Sequence, residues 1–258
     1  MNRTINFFKR NLKETFRDPI LYIFCLGFPV VMLILFQIIN TYTNGNTPMF
    51  DMPSLLPAMI MFSYTFVMLT LSLLVSKDRQ TMFLKRLYSS PMKPHQFILG
   101  YAGVGLLVGI GQTIICIIAG FVLATITSTT FVPFTKILLL ICSELPILIT
   151  MIFAGILFGT LFNDKGAPGF SSIFISVAGI LGGCWMPLDS MGSFETFCKV
   201  LPFYPSVYIG RAITGATKTL GGTYAFDTTA ILGIIPIVVF MVATVILSFV
   251  SFKKNMID

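Results

Sequence analysis

Charge is what this sequence lacks. Asp, Glu, Lys and Arg make up 10% of its 258 residues, against about a quarter in soluble domains. That shortage excludes an ordinary globular enzyme, and no polar stretch is long enough to form a soluble domain of its own. Histidine occurs once, as His95. No HExxH, GxSxG or pair of intramembrane aspartates is present, so the common hydrolytic sites are excluded. The phosphate-cradling GxxxxGK[ST] pattern is also missing. The stretches 163–166 and 214–219 lack its spacing, so the chain alone has no means of hydrolysing ATP. The five cysteines (Cys25, Cys116, Cys142, Cys184 and Cys198) form no CxxC. They read as inert thiols, with Cys184 and Cys198 the only pair that could share an oxidising exterior.

What is abundant is apolar surface. Hydrophobic residues make up 55% of the chain and the mean hydropathy is +0.90. Runs of eighteen or more apolar residues, each long enough to cross a bilayer core of about 30 Å, recur throughout. Six spans are expected: Ile20–Asn40, Ser54–Ser76, Ile98–Ile126, Ile137–Phe162, Gly169–Met186 and Thr229–Phe252. They must be helices, because a backbone in lipid has to satisfy its own polar groups. The N-terminus interleaves cations with its apolar residues and offers no small-residue cleavage site, so the first span is expected to be kept.

The cations set the orientation. Arg3, Lys9, Arg10, Lys13 and Arg17 precede the first span. Lys77, Arg79, Lys85, Arg86 and Lys93 join the second to the third. Lys165, Lys253 and Lys254 fall on the same side. The other side holds only Lys136, Lys199, Arg211 and Lys218. The expectation is a multi-pass protein of the cell membrane with both termini cytoplasmic. The net charge of +7 is a topology signal; no basic face with aromatic readers suggests a nucleic-acid partner.

Three connections are more than turns. Residues 1–19 form an amphipathic helix in which Ile5, Phe8, Leu12 and Phe16 share one face, with Lys9, Arg10, Lys13 and Arg17 beside it. This pattern suits a helix lying against lipid headgroups, ended by Pro19. Residues 77–97 hold a short helix with Met82, Leu84, Leu87 and Tyr88 on an apolar side among Lys85 and Arg86. Proline ends it, and its exposed apolar side suggests a protein contact. Residues 187–228 are too apolar for a solvated loop. Pro202 and Pro205 divide them into two short helices expected to dip back into the membrane, followed by a Gly/Thr-rich turn.

Glu144 is the one acid within a span. A carboxyl there relays protons, binds a cation, bonds a neighbouring hydroxyl in packing, or sits at the outer interface if the true span begins near Pro146. Gly105-xxx-Gly109, Gly155-xxx-Gly159 and Gly179-xxx-Gly183 read as packing positions.

Three stretches resemble the type-2 ABC exporter permeases (ABC-2 family) in order. They are LKETFRDPILYIFCLGFPVVMLILF, RQTMFLKRLYSSPMKPHQFILGY and MPLDSMGSFETFCKVLPFYPSVYIGRAITG. The sequence departs from the family at Lys77–Gln80, where acidic residues and a glycine are common. The resemblance implies one transmembrane permease domain over 1–258 without a nucleotide-binding domain. Its fold is all-α and integral to the membrane, with six spans, an interfacial N-terminal helix, a cytoplasmic coupling helix and extracellular re-entrant helices. It implies that Arg79, Met82, Leu84, Lys85, Arg86, Leu87 and Tyr88 contact a separate ABC ATP-binding subunit, which would hold ATP and Mg. Phe8, Lys9, Leu12, Lys13, Phe16 and Arg17 would form the interfacial helix that adjoins that subunit and membrane lipid. A second permease chain, identical or homologous, would complete a pathway lined by Met61, Phe62, Tyr64, Thr65 and Met68 on one span and Phe170, Ser172, Phe174 and Ser176 on another. Met and aromatic walls repack around varied apolar shapes, so the expected cargo is a hydrophobic drug, antibiotic or small peptide, or else a lipid-linked polysaccharide. An ion-coupled carrier using Glu144 and a membrane-embedded immunity or scaffold protein are the rival readings.

Overall fold

Long apolar runs without water to bond to close their backbone hydrogen bonds internally, and the chain is accordingly all-α. The computed structural model describes residues 2–19, 21–43, 47–81, 92–129 and 131–257. Its α-helices there are α1 (Asn2–Thr15), α2 (Phe28–Tyr42), α3 (Met52–Gln80), α4 (Pro94–Ile126), α5 (Phe134–Leu161), α6 (Gly166–Leu181), α7 (Ser193–Cys198), α8 (Phe203–Thr214) and α9 (Thr228–Ile257). A π-helical turn, Leu21–Gly27, leads into α2. An isolated bridge between Thr217 and Thr223 closes the Gly/Thr-rich turn.

Among the described residues five helices are long and apolar enough to cross a membrane: the first span through α2, then α3, α4, α5 and α9. α6 is apolar but has 16 residues. The expected span Gly169–Met186 begins earlier and stops at Leu181, because Gly183 takes a left-handed φ of +67°. The chain then folds back so that the Trp185 ring covers Gly179. Here the small-xxx-small spacing marks a turn and a ring contact rather than a helix pair.

α3 is the centre. It packs along α5 most extensively and also touches α4, α6 and α8, and almost none of its apolar span is exposed. Two glycines of α5 make this possible. A Cβ at Gly155 would lie 2.6 Å from the Met68 carbonyl oxygen, and one at Gly159 would lie 2.8 Å from that of Ser72. On α4, Gly105 instead seats side chains, those of Leu71 of α3 and Ile152 of α5.

Prolines inside helices leave the carbonyl four residues back without a donor, and in lipid another helix must supply one. Pro29 frees the Cys25 carbonyl, which is why the first span opens with a wider π-turn. The Gln112 side-chain amide of α4 donates to that carbonyl and lies 3.1 Å from the Cys25 Sγ. Pro57 frees the Pro53 carbonyl, and the Thr214 hydroxyl at the end of α8 donates to it at 2.6 Å.

α1 lies along α4, turned from the expected face. Phe7, Asn11 and Thr15 are buried, whereas Ile5 and Phe16 are exposed. Phe7 lies edge-on to Phe97 and Tyr101, with ring centroids 5.2 and 5.0 Å away. The helix has a protein-facing side and, about 100° round, an outward apolar side; the sequence pattern picked out the second. All five cysteines are free thiols, Cys184 and Cys198 buried. The two short helices expected in 187–228 are α7 and α8.

Replacing Thr214 with Val removes the donor to the Pro53 carbonyl. It should cost about 1–3 kcal/mol of stability, read as a lower Tm of the purified protein, whereas Thr214→Ser should keep the wild-type Tm.

Candidate functional site

An aromatic groove and two polar clusters are candidate functional features. The groove runs between the first span, α3 and α6, with a volume of about 510 Å³. Phe24 and Phe28 form one wall, Phe62, Phe66, Leu69 and Leu73 of α3 the floor, and Ser172, Ile175 and Ser176 of α6 the other wall; Trp185 closes one end. Phe28 meets Phe66 at 5.3 Å, and Phe62 meets Trp185 edge-on at 4.6 Å. The serine hydroxyls bond back to carbonyls of α6, Ser172 to Pro168 at 2.8 Å and Ser176 to Ser172 at 3.1 Å. The wall can therefore accept a hydrogen bond while remaining largely apolar.

Of the residues expected to line a pathway, Phe62, Ser172 and Ser176 meet in this groove. Met61, Tyr64, Thr65 and Met68 do not. They are enclosed within the chain because α3 is covered on those sides. The Tyr64 hydroxyl lies 2.7 Å from that of Thr113, and Thr65 bonds its own helix at the Phe62 carbonyl. Phe170 and Phe174 turn to α5, with ring centroids 4.9 and 5.4 Å from Phe158. Phe66, Leu69, Leu73 and Trp185, which the sequence reading did not single out, line the groove. The periodic signal was present, since Phe62, Phe66, Leu69 and Leu73 share one helical face.

At one end of α3 lies an ionic cluster that the sequence reading missed. Asp78 is 1% exposed. It accepts from Arg10 of α1 and from the Tyr101 hydroxyl of α4, each at 2.7 Å. Glu14 joins Arg10 at 2.7 Å and Lys77 at 3.0 Å. The cluster ties α1 to α3 and α4 beside the segment 77–97. The available signal was an acid flanked by two cations at the end of an apolar helix, with an Arg/Glu pair four apart on α1. Arg79, expected to face a partner, donates to the Thr160 carbonyl of α5 at 2.6 Å. Met82, Leu84, Lys85, Arg86, Leu87 and Tyr88 lie outside the described residues. Lys9, Lys13 and Arg17 are exposed on α1 and just after it, and Phe8 and Leu12 are half-buried.

The other polar cluster surrounds α8. Glu144 is completely buried, ten residues into α5. Ser206 donates to its Oε2 at 2.8 Å, while Oε1 has no hydrogen-bond partner among the described residues and faces Gly210. Arg211 is 1% exposed. It donates to the carbonyls of Ser54 at 3.2 Å and Gly183 at 3.0 Å, and its guanidinium lies over Tyr224. Arg211 thus joins the start of α3 to the turn after α6. Tyr208 donates to Asp227, which caps α9 through the Ala230 N–H. Burial opposes the charge on Asp227, but these donors hold its carboxyl below the ordinary range. The described residues contain no group of His, Cys, Asp and Glu side chains able to hold a metal ion.

A family model described as ABC-2 type transporter matches residues 3–214, from α1 to the last residue of α8. No curated protein matches the chain.

Arg10→Gln leaves Asp78 buried without its cation. It should loosen α1, cost about 1.5–3 kcal/mol, and raise hydrogen exchange across residues 2–15 severalfold while α5 stays protected.

Proposed function

Because the chain belongs to the ABC-2 type transporter family, and is therefore the transmembrane component of an ABC transporter, we propose that it exports a hydrophobic drug, antibiotic or small peptide from the cell with a separate ATPase subunit. The observation that carries the cargo class is the groove, whose phenylalanine walls carry two serine hydroxyls and one tryptophan. Such a lining excludes water from an apolar solute and offers it few fixed polar partners, which favours breadth over a single substrate. A lipid-linked polysaccharide is the alternative cargo in the same class.

The energy enters from outside the chain. ATP and Mg belong to the partner subunit, and the segment 77–97, with Leu84 and Leu87, is proposed to rest on it. The ionic cluster at Asp78 supports this reading, because it fastens α1 to the end of α3 from which that segment departs. A push on either element would reach the other through Arg10 and Glu14. A second permease chain is proposed to complete the pathway. ATP-driven closure of the ATPase pair would then shift the permeases between two states of access. With α6 crossing the bilayer as a sixth span, both termini lie in the cytoplasm, in agreement with the distribution of cations.

Purification from native membranes in mild detergent should bring down a stoichiometric protein carrying GxxxxGK[ST]. A Leu84→Asp/Leu87→Asp variant that still inserts should lose it. Recovery of the intact chain without a nucleotide-binding partner would overturn the reading. Glu144→Gln preserves an acceptor for Ser206 and should leave ATP-driven transport within about twofold of wild type, because a packing role needs the hydrogen bond and not the charge. Complete loss of transport would instead favour an ion-coupled carrier.

A further inference from the structure

Three clefts of the molecule follow one another along one face of α3. The widest, about 650 Å³, is lined by Arg10, Lys13, Glu14, Arg17, Asp18, Pro19 and Lys77. A second, about 180 Å³, shares Glu14, Asp18 and Lys77 with it and adds Asp164 and the apolar side chains of Leu73 and Leu74. The aromatic groove shares Leu73 with the second. Phe62, Phe66, Leu69, Leu73 and Lys77 all fall on this face, so the path from the charged mouth to Trp185 follows fifteen residues of helix, about 22 Å. It begins with charges of both signs and ends in phenylalanine and tryptophan.

The charges at the mouth are not equivalent. Arg10 and Lys77 are engaged by Glu14, and Arg10 also by Asp78. Lys13 and Arg17, four residues apart, form no ion pair among the described residues, and neither does Asp164. Asp18 lines both charged clefts as well; beyond it the mouth offers the cations Lys13 and Arg17 at its rim and the Asp164 carboxylate beside the apolar side chains of Leu73 and Leu74. That combination is complementary to a head carrying both a phosphate and an ammonium group, followed by an acyl chain. We propose that this row of clefts binds a zwitterionic aminophospholipid. Its phosphate meets Lys13 and Arg17, its primary ammonium meets Asp164, and one chain lies along Leu73, Leu69 and Phe66 toward Trp185. In the orientation proposed above, this lipid comes from the cytoplasmic leaflet; binding itself requires neither that orientation nor an ATPase.

Trp185 is the chain's single tryptophan and closes the groove, so it reports the far end of a bound chain. The full chain would be reconstituted in nanodiscs with phosphatidylethanolamine, phosphatidylcholine or phosphatidylglycerol brominated near the acyl terminus, and quenching of Trp185 titrated. The expected result is an apparent affinity for phosphatidylethanolamine about fivefold above that for either other lipid, the scale of one added charge contact at a membrane surface. Asp164→Asn should erase the advantage over phosphatidylglycerol. Lys13→Gln/Arg17→Gln should weaken quenching by both phosphatidylethanolamine and phosphatidylglycerol. Arg3→Gln/Lys9→Gln removes the same charge from α1 outside the cleft and should change nothing. Equal quenching by the three lipids, a preference that survives Asp164→Asn, or a loss reproduced by Arg3→Gln/Lys9→Gln would overturn the proposal. So would displacement of the brominated lipid by soluble glycerophosphoethanolamine at matched concentration, since the head alone would then suffice.

Discussion

A helix enclosed on nearly every side by other helices demands that they come very close, and α3 makes that demand of the whole molecule. Its neighbours meet it with glycine, at Gly155 and Gly159 of α5 where backbones touch and at Gly105 of α4 where the Leu71 side chain seats. In lipid no hydrophobic force favours helix association over lipid contact, so close van der Waals packing of this kind carries much of the cohesion. Once α3 is enclosed, the face from Phe62 to Lys77 is left to line clefts among the described residues. The same constraint places Lys77 and Asp78 at the end of α3 against α1, and the start of α3 under α8.

The second demand comes from proline. A proline within a helix leaves a carbonyl that lipid cannot satisfy, and at Pro29 and Pro57 the donor comes from a remote helix. Gln112 serves Cys25, and Thr214 serves Pro53. Arg211 acts alongside them at the carbonyls of Ser54 and Gly183. Polar residues in an apolar helix invite a functional reading, but these three act on backbone. Glu144 differs, because only one of its oxygens is engaged.

Hydropathy alone made the all-α membrane architecture legible, and the prolines and glycines marked the two short helices and the turn after them. Composition could not reveal which side of each helix faces protein. In a bilayer both the protein-facing and the lipid-facing sides are apolar, so the period that reveals a buried face in water is weak. This is why Ile5 and Phe16 were grouped with Phe8 and Leu12 although α1 docks through Phe7 and Asn11. It is also why Met61, Tyr64, Thr65 and Met68 were expected to line a pathway although the packing of α3 encloses them, while Phe66 and Leu69 line the aromatic groove. The Asp78 cluster needed three partners from three helices, a coincidence in space that no short motif encodes. Arg211 entered the sequence reading only as a cation on one side, because nothing nearby in the chain announces the carbonyls it joins.

The early end of α6 has a consequence for the surrounding membrane. Sixteen residues span about 24 Å, several ångströms short of a hydrocarbon layer of about 30 Å. With α6 crossing the bilayer as proposed, the lipids bordering it must compress, or another protein surface must shield that flank. The five longer apolar helices, of 20 residues or more, reach the full thickness, so the deformation is confined to one side. The molecule is thereby sensitive to bilayer thickness along a single edge, which happens to be the edge where its aromatic groove opens.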